Sequence, residues 1–332
     1  MIYVRTKTPG FVLVLTLLIL SALIVMVTAI YNRVVVYAHY SRTIKKREQA
    51  KTLALSGIQC AIQSLENILN KKEEENKAGK KSSIIRALDL LDTWHTLNLD
   101  TVNIPPDTSL EWYVSSEIGK INLYELFDAK NKKYKIDQKS KIDLGKMLGE
   151  LGELGKKLEK ELPQFFLGRS YEPQELTEFL TLPALDTLKN KLFLQKNGKP
   201  PFFMDLFSLH EGPHTLNPFC LSVSVKNLLG FQTNAESKKK LIAALEKLSF
   251  GGSLEVEWDK KFAEIYGKSW KEIPETLRKL FVIDPEPFLF SVTSCARVGA
   301  VTQKVYALVK QESNKKTNKA VKRFVTQHIY WI

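Results

Sequence analysis

Little in the first third of the chain would interrupt a helix. No proline occurs from Phe11 to Asn103, and Gly57 and Gly79 are the only glycines between Phe11 and residue 100. Cysteine is also scarce: Cys60, Cys220 and Cys295 are all there is in 332 residues. Three such cysteines, with no metal-ligand spacing, exclude a disulfide framework and a thiolate metal centre. A bond between Cys220 and Cys295 and a pair of reduced buried thiols both stay open. Gly-rich phosphate loops and a Ser-His-Asp signature are absent, and the lysines lack the aromatic interleaving of a nucleic-acid surface, so no nucleic-acid partner is expected. There is no second long apolar run, which limits the chain to one membrane crossing. Basic residues outnumber acidic ones 49 to 36, a formal charge of +13 that is scattered rather than banded. Loss of the first ten residues, with Arg5 and Lys7, would leave 13 − 2 = +11. Such a surface is an ordinary solvated lysine-rich face that would also favour phosphates, anionic lipid or an acidic partner.

What is present begins at Phe11. From there to Ile30 no charged residue occurs, and 20 helical residues at about 1.5 Å each match the roughly 30 Å of bilayer hydrocarbon. The run overshoots the apolar region of a secretory signal, about 7 to 15 residues, and it begins too close to the amino terminus for a folded core. Beyond it, Ala54, Ile58, Ala61, Leu65 and Ile68 recur at spacings of three and four, one face of an amphipathic helix. The pattern predicts one helix over 11–70, on the order of 90 Å long, followed by a solvated charged linker over 70–83. The remaining chain is long enough for one or two cores.

The segment 109–128 carries aromatic and β-branched residues on either side of Gly119 and predicts a hairpin. From 129 to 283 the pattern is helical, most clearly where Leu144, Leu148, Leu151, Leu154, Leu158 and Leu162 form a stripe despite intervening glycines. Further helices are predicted at 173–193, 222–230, 235–249 and 271–281. After Pro285 and Pro287 the alternation predicts three antiparallel strands ending at Ile332. The order implies an α+β fold: a long N-terminal helix packed on a small antiparallel sheet, with a large helical insertion. The expected division is 1–10 leader, 11–70 helix, 84–128 with 284–332 sheet domain, and 129–283 insertion. The stretch His210-Glu211-Gly212-Pro213-His214 matches the zinc-protease pattern H-E-x-x-H literally. That chemistry needs both histidines on one helix face, and proline costs about 3 kcal/mol inside a helix. A loop is the expectation, with no catalytic role and no enzyme activity.

The residues of the first turn and those that follow resemble a known family. A short basic leader, Gly10 followed by Phe11, an apolar helix and then "REQAKTLALSGIQCAI" (47–62) are similar to the N-terminus of type IV pilin-like proteins. The segments "SSEIGKINLYELFD" (115–128), "YEPQELTEFLTLPAL" (171–185), "HTLNPFCLSVSVKNLLGF" (214–231) and "FSVTSCARVGAVTQKVYALVK" (290–310) are similar, in order and spacing, to the K-type minor pseudopilins of type II secretion. The resemblance implies cleavage by a prepilin peptidase after Gly10 and N-methylation of Phe11. It also implies partners: the I- and J-type minor pseudopilins and an inner-membrane assembly platform. Major pilins carry a glutamate at the fifth position after the cut, where this chain has Leu15. K-type proteins also lack it, and a carboxylate in lipid is costly unless paired, so Leu15 implies a subunit at a filament tip. No cofactor is expected; calcium would follow from the resemblance, but no loop spacing maps its ligands.

Orientation draws two opposed expectations. Arg33, Arg42, Lys45, Lys46 and Arg47 follow the apolar run, against Arg5 and Lys7 before it, and charge alone would keep the large domain in the cytoplasm. The resemblance implies a cytoplasmic N-terminus and a periplasmic C-terminal domain. A minor pilin of a type IV pilus, or an unrelated signal-anchored protein, are the alternatives.

Overall fold

The computed structural model describes residues 9–70, 83–97, 107–128, 133–134, 153–169, 175–186, 189–198, 200–209, 216–231, 235–247, 262–273, 289–313 and 322–332, with a few single positions between them. A single helix, α1, runs unbroken over Pro9–Asn70. Its length follows from the missing helix breakers, and its one interior glycine after Gly10 has a packing reason. A Cβ on Gly57 would stand 2.2 Å from Ser294 Oγ and 2.8 Å from a Leu110 methyl. At that point the helix lies directly on a sheet.

The sheet has five strands in the order β1-β2-β7-β8-β9. They are β1 (Trp94–Leu97), β2 (Thr108–Ser116), β7 (Leu289–Val298), β8 (Val301–Ser313) and β9 (Lys322–Trp331), every neighbour antiparallel. Two minor pairs complete the strands among the described residues: β3 (Ile121–Asn122) runs parallel to β6 (Phe207–Ser208), and β4 (Phe127–Asp128) antiparallel to β5 (Lys133–Tyr134). The three late strands stand where alternation predicts them, and β8 and β9 slip register between Leu308 and Val309, a bulge that spares the rest of the pairing.

The C-terminal half of α1 covers one face of this sheet. Ala50, Ala54, Ile58, Ala61, Ile62, Leu65 and Leu69 are buried, close to the expected stripe, with Leu69 rather than Ile68 completing it. Alanines at three of these positions bring the helix axis near the strands, and the larger residues fill the space between them. The other face is covered by short helices and turns. Leu158, Leu162, Phe179, Phe203 and Phe262 join Ile58, Leu110 and Phe290 in one continuous core cluster. The architecture is α+β: long helix, antiparallel sheet, and a second layer of helical segments.

The hairpin predicted over 109–128 is not formed. β2 instead enters a 3₁₀ turn at Glu117–Gly119 and continues into β3, whose partner is β6. Gly119 is needed for a close approach rather than a reversal, since a Cβ there would stand 1.6 Å from the Cys220 carbonyl oxygen. Asn217 N–H donates to Ile118 O and Ser222 N–H to Gly119 O, locking that crossing. The predicted helix over 173–193 is broken into a 3₁₀ stretch, Leu176–Thr181, and two single turns, Pro183–Asp186 and Lys189–Leu192. Of 271–281, the described residues show a 3₁₀ turn at Trp270–Glu272. The helices at Val223–Leu228 and Ala235–Lys247 agree with expectation. The leucine stripe is helical over Glu153–Leu167, where Leu158 and Leu162 are buried. Its beginning, the 71–82 linker and the His210–His214 motif lie outside the described residues.

Candidate membrane and assembly site

The N-terminal half of α1 buries almost nothing. Phe11 is 72% exposed and Leu15 46%, and the large apolar side chains from Leu17 to Ile30 are similarly open. The polar atoms in this run are satisfied internally: Thr16 and Ser21 hydroxyls donate to the carbonyls of Leu13 and Leu18, and Thr28 to that of Ile24, at 2.8–2.9 Å. A helix whose hydroxyls bond its own carbonyls offers lipid no unmet donor. The segment is long and apolar enough to cross a membrane.

Gly10 stands in the first turn of α1, directly after Pro9. Proline suits that place because its fixed φ is already helical and it has no N–H to lose. Glycine weakens a helical turn by about 1 kcal/mol relative to alanine, so the Gly10–Phe11 bond is in the part of the helix that unwinds most readily. Residues 1–8 lie outside the described residues. Leu15 is about one turn further, on a surface that the described residues leave exposed.

A buried polar cluster, invisible in the sequence, ties the two layers of the body together. Lys120 Nζ donates to Glu117, to Met204 O and Ser291 Oγ at 2.8 Å each, and to Tyr306 OH at 3.4 Å. The Glu117 and Lys120 side chains are each 1% exposed. Burial alone would lower the Lys120 pKa, but Glu117, Tyr306 and Asp205 outweigh it and the ammonium is held charged above its ordinary value. Asp205 accepts the Ser115 hydroxyl at 3.2 Å and the Ser224 N–H at 2.9 Å. Burial raises its pKa, against the opposing pull of Lys120. The lysine reaches four chain segments at once. The arrangement joins β2, β7 and β8 to the Phe203–Leu206 turn.

A second anchor lies at the sheet's margin. Asp92, at φ 59°, accepts Tyr113 OH at 3.1 Å and Lys226 Nζ at 2.6 Å. Lys238 reaches the same turn, donating to Leu91 O at 2.9 Å, and burial lowers its pKa. The cysteines form no disulfide: Cys220 is buried beside Gly119, and Cys295 lies in β7 opposite Glu111 and Lys304. Burial pushes the Cys295 thiol up. Among the described residues, no group of three or more His, Cys, Asp and Glu could hold a metal ion.

Of the residues singled out in the sequence, Gly10, Phe11 and Leu15 stand in the first turns of α1, where Phe11 and Leu15 are exposed; sequence reasoning missed Glu117, Lys120 and Asp205. A lysine within a β-rich apolar stretch, three residues after a glutamate, was the only local signal for the pair.

No protein-family model and no curated protein matches this chain. Among solved structures, it is similar to a chain of the crystal structure of the GspK-GspI-GspJ complex from the enterotoxigenic Escherichia coli Type 2 Secretion System, at 12% identity and a TM-score of 0.46. The likeness covers 88% of this chain and 98% of the other. At that identity no side-chain role passes from one to the other.

Proposed function

We propose that the chain is a non-enzymatic structural subunit, a K-like minor pseudopilin. Its apolar helix stores it in the inner membrane, and the same surface packs on other pilin-type helices after extraction. One observation carries the reading: a single helix, Pro9–Asn70, is exposed and apolar in its first half and buried on an antiparallel sheet in its second. An apolar surface of that length cannot stay in water. In the proposed cycle a prepilin peptidase cuts after Gly10, Phe11 becomes the methylated N-terminus, and the subunit joins the I- and J-type minor pseudopilins on the assembly platform.

We place it at the pseudopilus tip for two reasons. Leu15 supplies no carboxylate for the amine of an adjacent subunit, and an insertion of the length of 129–283 adds bulk that would obstruct a subunit stacked above it. The N-terminus is then cytoplasmic and the C-terminal domain periplasmic. In this orientation a dedicated leader peptidase, rather than the positive flank, sets the topology.

Co-expression of the full-length chain with a prepilin peptidase and I- and J-type partners tests the reading. The chain should co-purify with both partners from detergent extracts, and a reporter active only outside the cytoplasm should give signal when fused after Ile332. A chain that ignores both partners and ends in the cytoplasm is a signal-anchored protein of another kind.

A further inference from the structure

Between the apolar run and the body, α1 continues over residues 31–49 as a neck in which Val35 alone is half-buried and every other residue is exposed; the first buried position is Ala50. This neck holds five cations, Arg33, Arg42, Lys45, Lys46 and Arg47, and the first carboxylate anywhere in the chain is Glu48. The protein as a whole has 36 acidic residues in 332, so a run of 47 without one is not the chain's ordinary composition. The apolar span accounts for part of it, the neck for the rest. Three tyrosines precede the main group of cations, and Tyr31, Tyr37 and Tyr40 are 66–70% exposed.

The arrangement around the axis decides what these residues face. At 3.6 residues per turn, Arg42, Lys45, Lys46 and Arg47 point about 180°, 120°, 220° and 320° from Arg33. These four fan over about 200°, and Arg33, about 14 Å nearer the membrane, covers the gap, so the five cations together surround the axis rather than forming a stripe. A protein docking from one side would meet only part of a ring, whereas the headgroup layer of a bilayer surrounds a helix that passes through it.

The heights agree. Arg42 is 12 residues past Ile30, about 18 Å along the axis, and helical side chains lean toward the N-terminus, here toward the membrane. With an extended arginine and an average tilt of about 20°, its guanidinium comes about 11 Å from the hydrocarbon edge. The headgroup layer is roughly 5–7 Å thick on each side, so the charge stands within a Debye length of about 8 Å. Tyr31 and Tyr37 fall inside the headgroup layer, where aromatic belts collect, and Tyr40 lies just beyond it. Lys46 also reaches the β7–β8 turn, its Nζ 3.0 Å from where a Cβ on Gly299 would be. Exposed Arg297, bonded to Gly299 O, adds a cation at the same end of the body.

We propose that the neck is a binding surface for anionic phospholipid headgroups on the side of the membrane that holds the body. The tyrosine belt and cation ring clamp the helix at a fixed depth before extraction. The proposal rests on the membrane-anchor reading, and it gives the basic flank a task that does not depend on orientation.

Hydrogen exchange on the unaltered full-length chain tests it in nanodiscs of phosphatidylcholine, with or without about one third phosphatidylglycerol. Amides of the neck should exchange about tenfold more slowly in the anionic discs. The difference should vanish in about 0.5 M salt, where screening shortens to a few Å. It should also vanish in the exposed-site variant R42Q/K45Q/K46Q/R47Q, while β7 and β8 exchange as before. Equal neck exchange in both discs overturns the proposal while leaving the anchor intact; failure of the chain to enter either disc overturns both. Protection that appears only after addition of an acidic protein assigns the ring to that protein and overturns the lipid assignment.

Discussion

Gly57 of α1 and Ser294 of β7 meet so closely that no side chain fits between them: a Cβ on residue 57 would stand 2.2 Å from Ser294 Oγ. The Ser294 hydroxyl is buried and has no hydrogen-bond partner among the described residues. This contact sets how near the helix lies to the sheet.

Substitution Gly57→Ala therefore has two opposed effects. Alanine favours the helix by about 1 kcal/mol, but overpacking against the Ser294 and Leu110 side chains costs about 1–3 kcal/mol. The expected result is a net loss of about 0–2 kcal/mol in urea unfolding. Ser294→Ala alone should be neutral or slightly stabilising, because it removes an unmet hydroxyl, and it should restore part of the loss in the double variant.

The Glu117–Lys120 pair gives a sharper effect. Lys120→Met leaves Glu117 buried without its counter-charge and should cost about 3–5 kcal/mol, whereas Glu117→Gln with Lys120→Met should cost clearly less than the two single changes added together. A thermal-unfolding double-mutant cycle reads this directly. Additive losses would mean that the two side chains do not act as a pair.

Asp205 makes stability depend on pH in a defined direction. Burial holds its pKa above the ordinary carboxylate value of 3.8, so the folded chain keeps this proton to a higher pH than the unfolded one. The contribution of this group to stability is therefore greatest below 3.8 and falls as pH rises through the raised value. Asp205→Asn can still accept the Ser224 N–H while donating to Ser115 Oγ. The stability of this variant relative to the native chain should increase with pH across that window and level off above it.

The sequence pattern makes α1 legible because a long apolar run without proline leaves the helix no alternative. The three late strands are legible because their alternation matches one sheet face. The hairpin at 109–128 misleads because Gly119 reads locally as a turn residue, while its actual cause is the backbone of Cys220, about a hundred residues away. β1, four residues with an "intermediate, intermediate, exposed, exposed" pattern, is too short and too open to alternate visibly. Lys120 shows the limit most clearly: three of its partners lie 84, 171 and 186 residues along the chain. No local window contains them.

Leu15 tests the tip position. A carboxylate there costs on the order of 2.5–3.5 kcal/mol at the bilayer centre and less near its edge, and a tip subunit has no neighbouring amine to neutralise it. Leu15→Glu should give no gain in incorporation when filaments are isolated and their subunits quantified. Marked enrichment along filament shafts would make this an ordinary shaft subunit.

The most direct test of the whole account is the N-terminus of the mature chain. Gly10 lies in the first, weakest turn of α1, and Phe11 begins its apolar surface. Mass spectrometry of the protein isolated after co-expression with a prepilin peptidase should find a chain beginning at Phe11, with one added methyl group on its amine. An intact chain beginning at Met1, or a cut near residue 30 at the end of the apolar run, would contradict the pilin-type reading.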